Sequence, residues 1–287
     1  MTLYAAWIPY FTFEIYAQDP QSGEMKMATS ATAMNLNLPM WDENTGKMDM
    51  KNFPARENMT FESAFLDAEM TEAAPDLLTG GWNVETGVAE STTIKVYTTW
   101  LEGTWYRIYN TKQFKDNSRL NGNYILCADL DFESVVWAPV LTTGEFTGQI
   151  IGNGHKISNI SVEQADFEQT QGGIFGAIGS SAQIKDVSFE NITYKIGVGS
   201  RKPAASFGLL TGDMAAHALL ENVTVSGELV IGKGIYTAGT YTIGLVCGNE
   251  ISHGIDISNI TVSSEDESVV GVTVEEGSDR VTLTFGD

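Results

Sequence analysis

Apolar and polar residues alternate in short runs along most of this chain, and helical spacing is rare. Phe11-Thr-Phe-Glu-Ile-Tyr16, Ile157-Ser-Asn-Ile-Ser-Val162 and Leu220-Glu-Asn-Val-Thr-Val225 carry the pattern, which is a strand signal. In the second half the runs recur. Gly172, Gly208 and Gly244 lie 36 residues apart, as do Gly176, Gly212 and Gly248. Ile184-Lys-Asp-Val-Ser-Phe189 and Leu220-Glu-Asn-Val-Thr-Val225 keep the same interval. Ile257-Ser-Asn-Ile-Thr-Val262 follows with one inserted residue, and Ile157–Val162 is a further version upstream. Self-similarity at this period marks units that bury their apolar faces by stacking on one another. Short strands, glycine and asparagine corners and a fixed interval predict a right-handed parallel β-helix, a β-solenoid, over 104–287. Leu209 and Leu245 are expected in one inward column, and Val223 and Ile260 in another.

Residues 1–103 read differently. Phe11–Tyr16 and Ile94–Trp100 predict strands, and 28–38 alternates less cleanly. Ser63–Met70 has a short helical pattern with Pro75 to stop it. Past Gly103, Asn110 or Thr111 offers an N-cap for a short helix through Asn117, which would plug the exposed end of the solenoid.

Charge narrows the function classes. Sixteen Lys and Arg against 37 Asp and Glu give a net charge of −21, which repels polyanions and disfavours nucleic acid as a partner. The two cysteines, Cys127 and Cys247, cannot form a disulfide scaffold and are expected as buried free thiols on different coils. No stretch reaches membrane-spanning length and no signal peptide is evident.

Two families are resembled. Thr2-Leu-Tyr-Ala-Ala-Trp7, and more distantly Gly80-Gly-Trp82 with Ile94–Trp100, resemble the Listeria–Bacteroides repeat of bacterial surface proteins. That resemblance implies a small N-terminal β-grasp-like module. It also implies that Met1 falls inside a repeat, which would put an export signal and anchor outside this sequence. Further along come Tyr124–Phe132, Trp137-Ala-Pro139, Phe146–His155 and the Gly172, Gly208 and Gly244 segments. In this order they resemble the GLUG-motif β-helical proteins of host-associated bacteria. Ile151 stands where that family usually has Asp. This resemblance covers about residues 105–262. It implies an extracellular, cell-surface protein with an adhesive or structural role. The partner would be a host or bacterial surface glycan or protein, and no cofactor is implied.

Candidate chemistry is sparse. Asp129 and Asp131 share a strand face, and paired carboxylates on a β-helix can cleave polysaccharides. No Lys or Arg lies near Asp129 in the sequence to assist, so a lyase or hydrolase is the alternative to a binding protein. His217 and His253 recur at equivalent positions with Asp213 close by, a weak metal or pH-sensitive set, or else ordinary turn residues. Asp186, Asn222 and Asn259 are expected at corners, where Asn tolerates left-handed backbone. The Asn-x-Ser/Thr matches at Asn159, Asn191, Asn222 and Asn259 are then corners rather than glycosylation acceptors. Two equivalent loops, 197–203 and 232–239, carry Arg201, Lys202, Lys233 and Tyr236, with Tyr241 following. They form either a cationic and aromatic contact patch for an acidic ligand or ordinary solvated loops.

Overall fold

The structure is a computed structural model that describes residues 12–19, 24–32, 41–42, 47–49, 56–74, 77–79, 82–83, 88–89, 93–163, 171–196, 206–233, 239–249, 255–256, 259–274 and 278–286. The protein is mainly β, with parallel sheets, and divides into two compact units, Met1–Thr104 and Trp105–Asp287.

The first unit contains a four-stranded mixed sheet. Thr12–Gln18 and Thr93–Glu102 pair in parallel at its centre, with Met25–Thr32 and Met59–Phe65 antiparallel on the flanks. Alternation along Thr12–Gln18 sends Phe13, Ile15 and Ala17 inward, with Ile15 paired beside the buried Val96. The buried Thr98 hydroxyl is satisfied, donating to the Tyr16 carbonyl and accepting from the Trp100 indole. Ser63 and its neighbours are not helical. Met59–Phe65 is a strand because Phe61 and Ala64 bury against Thr93–Glu102, with a bulge between Phe61 and Ser63. Tertiary pairing here overrides local helical spacing.

In the second unit the chain visits three parallel sheets in a constant order. Glu145–Phe146, Phe175–Ile178 and Thr211–Met214 form one sheet. Gln171–Gly172 and Ser206–Phe207 form another. The largest is a ladder in which Gln149–Ile151, Lys156–Ser158 and Ser161–Glu163 all pair with the long strand Gln183–Ile196. That strand pairs in turn with Leu219–Ile231. From Gln171 two successive passes add a strand to each of the three sheets, whereas the pass before them adds none to the two-stranded sheet. Leu130, Ile157, Phe189 and Val225 form one buried column, and Tyr124, Ile150 and Ile184 another.

Corner residues hold the rungs in register. Asn153, Asp186 and Asn222 adopt left-handed backbone at one corner, and Asn159 and Asn191 at a second. Asn222 Nδ2 donates to Asp186 Oδ1 over 2.8 Å, and Asn191 Nδ2 to Asn159 Oδ1 over 2.6 Å. The repeat glycines answer a different need. A Cβ on Gly212 would lie 2.2 Å from the Gly172 nitrogen, and one on Gly208 2.5 Å from the Val246 oxygen. Neighbouring rungs pass too close for any side chain there.

Helix α1, Thr111–Asn117, starts at Asn110, whose side chain accepts the Gln113 amide at 2.9 Å. Its Phe114 is buried and stacks on Trp137 at 5.2 Å. The Trp137 indole donates to the Ile174 carbonyl across 2.7 Å.

Two expectations need correction. Val223 pairs with Ile255, while Ile260 pairs with Gly227. Residues 259–262 therefore align with the second corner, and Asn259 sits there, its carbonyl accepting the Gly227 amide, instead of beside Asn222. Leu209 and Leu245 are buried neighbours, with the Leu209 amide donating to the Leu245 carbonyl at 2.8 Å. Cys247 is buried and free, but Cys127 is free and only half-buried, because it lies just past the end of strand Asn123–Leu126. After Leu219–Ile231 the pattern changes. Gly239–Gly244, Arg280–Phe285 and Val269–Val274 make an antiparallel sheet, with Val281, Leu283 and Phe285 inward.

Candidate functional site

The richest polar chemistry among the described residues lies on the outer face of the large ladder. Leu130 is buried, so Asp129 and Asp131 on either side of it project outward together. Both carboxylates meet groups delivered by the next rung. Asp129 Oδ1 lies 3.0 Å from His155 Nδ1 and accepts the Lys156 amide at 3.2 Å. Asp131 Oδ1 accepts from Asn159 Nδ2 at 2.8 Å and from the Glu133 amide at 2.9 Å.

These contacts set the protonation states. The Lys156 backbone N–H, and then His155, hold the Asp129 carboxyl below the usual carboxylate range. The Asn159 side chain, followed by the Glu133 amide, does the same for Asp131. Lys156 also contributes positive potential to both aspartates, although its Nζ is paired with Glu190 Oε2 at 3.1 Å. A cation therefore does stand beside Asp129, contrary to the sequence expectation. It comes from 27 residues along the chain, short of the 36-residue repeat interval, so scanning at the repeat period passes over it. His155 was legible only as a turn residue for the same reason.

Sugar hydrolysis by two carboxylates needs one raised pKa to keep a proton for the leaving group. Asp129 and Asp131 are both shifted downward, so this pair has no member suited to the acid role.

The other lysines of this face are engaged across rungs. Lys185 pairs with Glu221 at 3.2 Å, and Lys195 with Glu163 at 3.4 Å and Glu265 at 2.9 Å. Such exposed pairs contribute little stability, on the order of 0–1 kcal/mol each. They do cancel local charge, leaving a face of amides, hydroxyls and neutralised pairs beside the ionised Asp129 and Asp131.

The other candidates are dispersed. His217 is exposed in a turn, and His253 lies outside the described residues. Asp213 is bound by amides: Oδ2 accepts from Gln171 Nε2 at 3.1 Å and Oδ1 accepts from Asn249 Nδ2. Asn249 Oδ1 in turn accepts the Met214 amide at 3.0 Å and the Cys247 thiol. Burial pushes that thiol up to about 12. Among the described residues no three His, Cys, Asp or Glu side chains are grouped to hold a metal ion, and no helix is long and apolar enough to cross a membrane.

Of the loop patch, Arg201, Lys202 and Tyr236 lie outside the described residues. Lys233 is exposed in the turn after Leu219–Ile231. Tyr241 is half-buried in the antiparallel sheet, its ring edge-on to Phe285 at 5.7 Å, so it packs on the core. Comparison of the chain with protein-family models, with curated proteins and with solved structures finds no match.

Proposed function

We propose that this chain is a non-catalytic binding or structural module of a bacterial cell-surface protein. Its second unit would be a right-handed parallel β-helix of the GLUG-motif kind, and its first a β-grasp-like module related to the Listeria–Bacteroides repeat. The constant order in which the three parallel sheets are visited supports the β-helix, since parallel crossovers are right-handed in nearly all folds. The central parallel pair of the first unit's mixed sheet supports the β-grasp-like reading. One observation carries the functional part. The outer face is a preformed set of polar groups bonded rung to rung, with both Asp129 and Asp131 held as ionised acceptors. Such a face suits recognition of surface glycans or proteins through hydrogen bonds and has no acid–base division of labour.

A glycan array probed with the purified chain tests this reading. Binding without turnover is expected, and replacing Arg201, Lys202 and Lys233 together should abolish binding to an acidic ligand while the fold survives. The double variant Asp129→Asn, Asp131→Asn should leave that acidic-ligand binding unchanged but weaken any glycan held at the ladder face, since it removes the two ionised acceptors there. Cleavage of a polysaccharide by the parent, lost in the double aspartate variant, would overturn the proposal in favour of a lyase or hydrolase.

A further inference from the structure

Among the described residues, the antiparallel sheet ends in an open edge: Val269–Val274 pairs with Arg280–Phe285 and with no other strand. Two apolar rows cross the sheet. Ile243 faces Val281, which faces Val274, and Tyr241 faces Leu283, which faces Val272. Val281 and Leu283 are fully buried, yet the rows continue into solvent: Val272 is 42% exposed and Val274 52%. Val270, at the bulge, is 68% exposed. Val272 and Val274 lie two apart on one face of the strand, and Val270 adds exposed apolar surface at the bulge beside them, unlike scattered surface hydrophobes.

Alternate residues of an antiparallel edge strand also turn their N–H and C=O groups away from the only partner. Edges of this kind are usually blunted by lysine, proline or inward charge. Residues 269–274 hold none of these, only the bulge between Val269 and Gly271.

The charge around the strip selects its occupant. Asp266 and Glu267 precede it, Glu265 being already paired with Lys195, and Glu275 and Glu276 follow it in the sequence of a chain with net charge −21. Pairing of two copies along this edge would bring together two chains that each carry a net charge of −21. Like charges directly across strands are unfavourable.

We infer that Val269–Val274 is a docking edge for an extended segment of another protein, one that alternates β-branched residues and is flanked by lysine or arginine. The segment adds as a further strand: backbone bonds supply affinity, the valine row sets register, and the acidic flanks choose the cationic partner. This site is separate from the ladder face and does not depend on the glycan reading.

The test uses the full chain and two synthetic peptides, each an alternating Val-Thr segment of about eight residues. One has two lysines at each end and the other two glutamates. Calorimetry should show the lysine peptide binding at least tenfold more tightly, with affinity falling severalfold as salt rises. Amide exchange should slow within 269–274 when it binds, and Val272→Lys should abolish that binding while leaving the circular dichroism spectrum unchanged. The inference fails if neither peptide binds, if both bind alike, or if protection appears elsewhere. It also fails if the chain sediments as a dimer that Val272→Lys separates, since the occupant is then a second copy. Exchange mapping on the unaltered chain keeps the result decisive even if the variant folds poorly.

Discussion

The parallel ladder and the antiparallel sheet that follows it bury the same kinds of residue but fix their register by different means. In the ladder, register is specified redundantly. Asn191 bonds Asn159 and Asn222 bonds Asp186, and in the smaller parallel sheets of the same unit Gly212 sits where a Cβ would strike the Gly172 nitrogen at 2.2 Å. In the antiparallel sheet, register rests on the alternation of Val281, Leu283 and Phe285, and Gly271 has room, its nearest neighbour being Thr284 at 3.6 Å. Apolar burial is common to both, so it does not explain why only one is repetitive. The repetition records close backbone approach and bonded corners, which recur between several successive rungs.

The largest expected contrast is in packing. Phe189 is fully buried and meets Phe175 edge-on, so Phe189→Ala should cost about 3–5 kcal/mol in chemical denaturation. Val272→Ala at the open edge should change stability by no more than about 0.5 kcal/mol. A smaller contrast concerns glycine. Gly212→Ala should cost about 1–3 kcal/mol by forcing rungs apart, while Gly271→Ala stays within about 0.5 kcal/mol. Equal effects in the two regions would show that close approach does not set the repeat.

The smallest effect is electrostatic. The folded pKa values of Asp129 and Asp131 lie below the ordinary 3.8, so the unfolded chain binds protons more readily in acid. Their contribution is complete above the unfolded value and fades as pH falls through the folded one. Asp131→Asn should therefore lower stability slightly at pH 7, and the difference from the parent should shrink towards pH 3. A difference independent of pH would remove the ionised carboxylate from the account.

Strand positions in the second unit were readable because each strand carries its own alternation, and the Leu209–Leu245 neighbourhood followed from the glycine interval. The register of the last copy did not. Asp186-Val187 and Asn259-Ile260 share an Asx–aliphatic pattern in sequence but occupy different corners, and of the two only Asp186 adopts left-handed backbone. The helical reading of Ser63–Met70 failed for a related reason, since its apolar spacing fits either period until Thr93–Glu102 supplies a pairing partner. At the candidate site, Asp129 and Asp131 stood out from spacing alone. His155 and Lys156 did not, because the rung that delivers them arrives after fewer residues than the repeat period.

The ladder also has a mechanical consequence. Hydrogen bonds between rungs lie along the stacking direction, so tension applied along that direction loads one rung at a time. Asp186 and Asn222, bonded across adjacent rungs, are 36 residues apart in the chain. Peeling one rung from the next would therefore release about 120–130 Å of extended chain at roughly 3.3–3.6 Å per residue. A chain built in this way would lengthen under load in discrete steps, each absorbing work and leaving the remaining rungs folded.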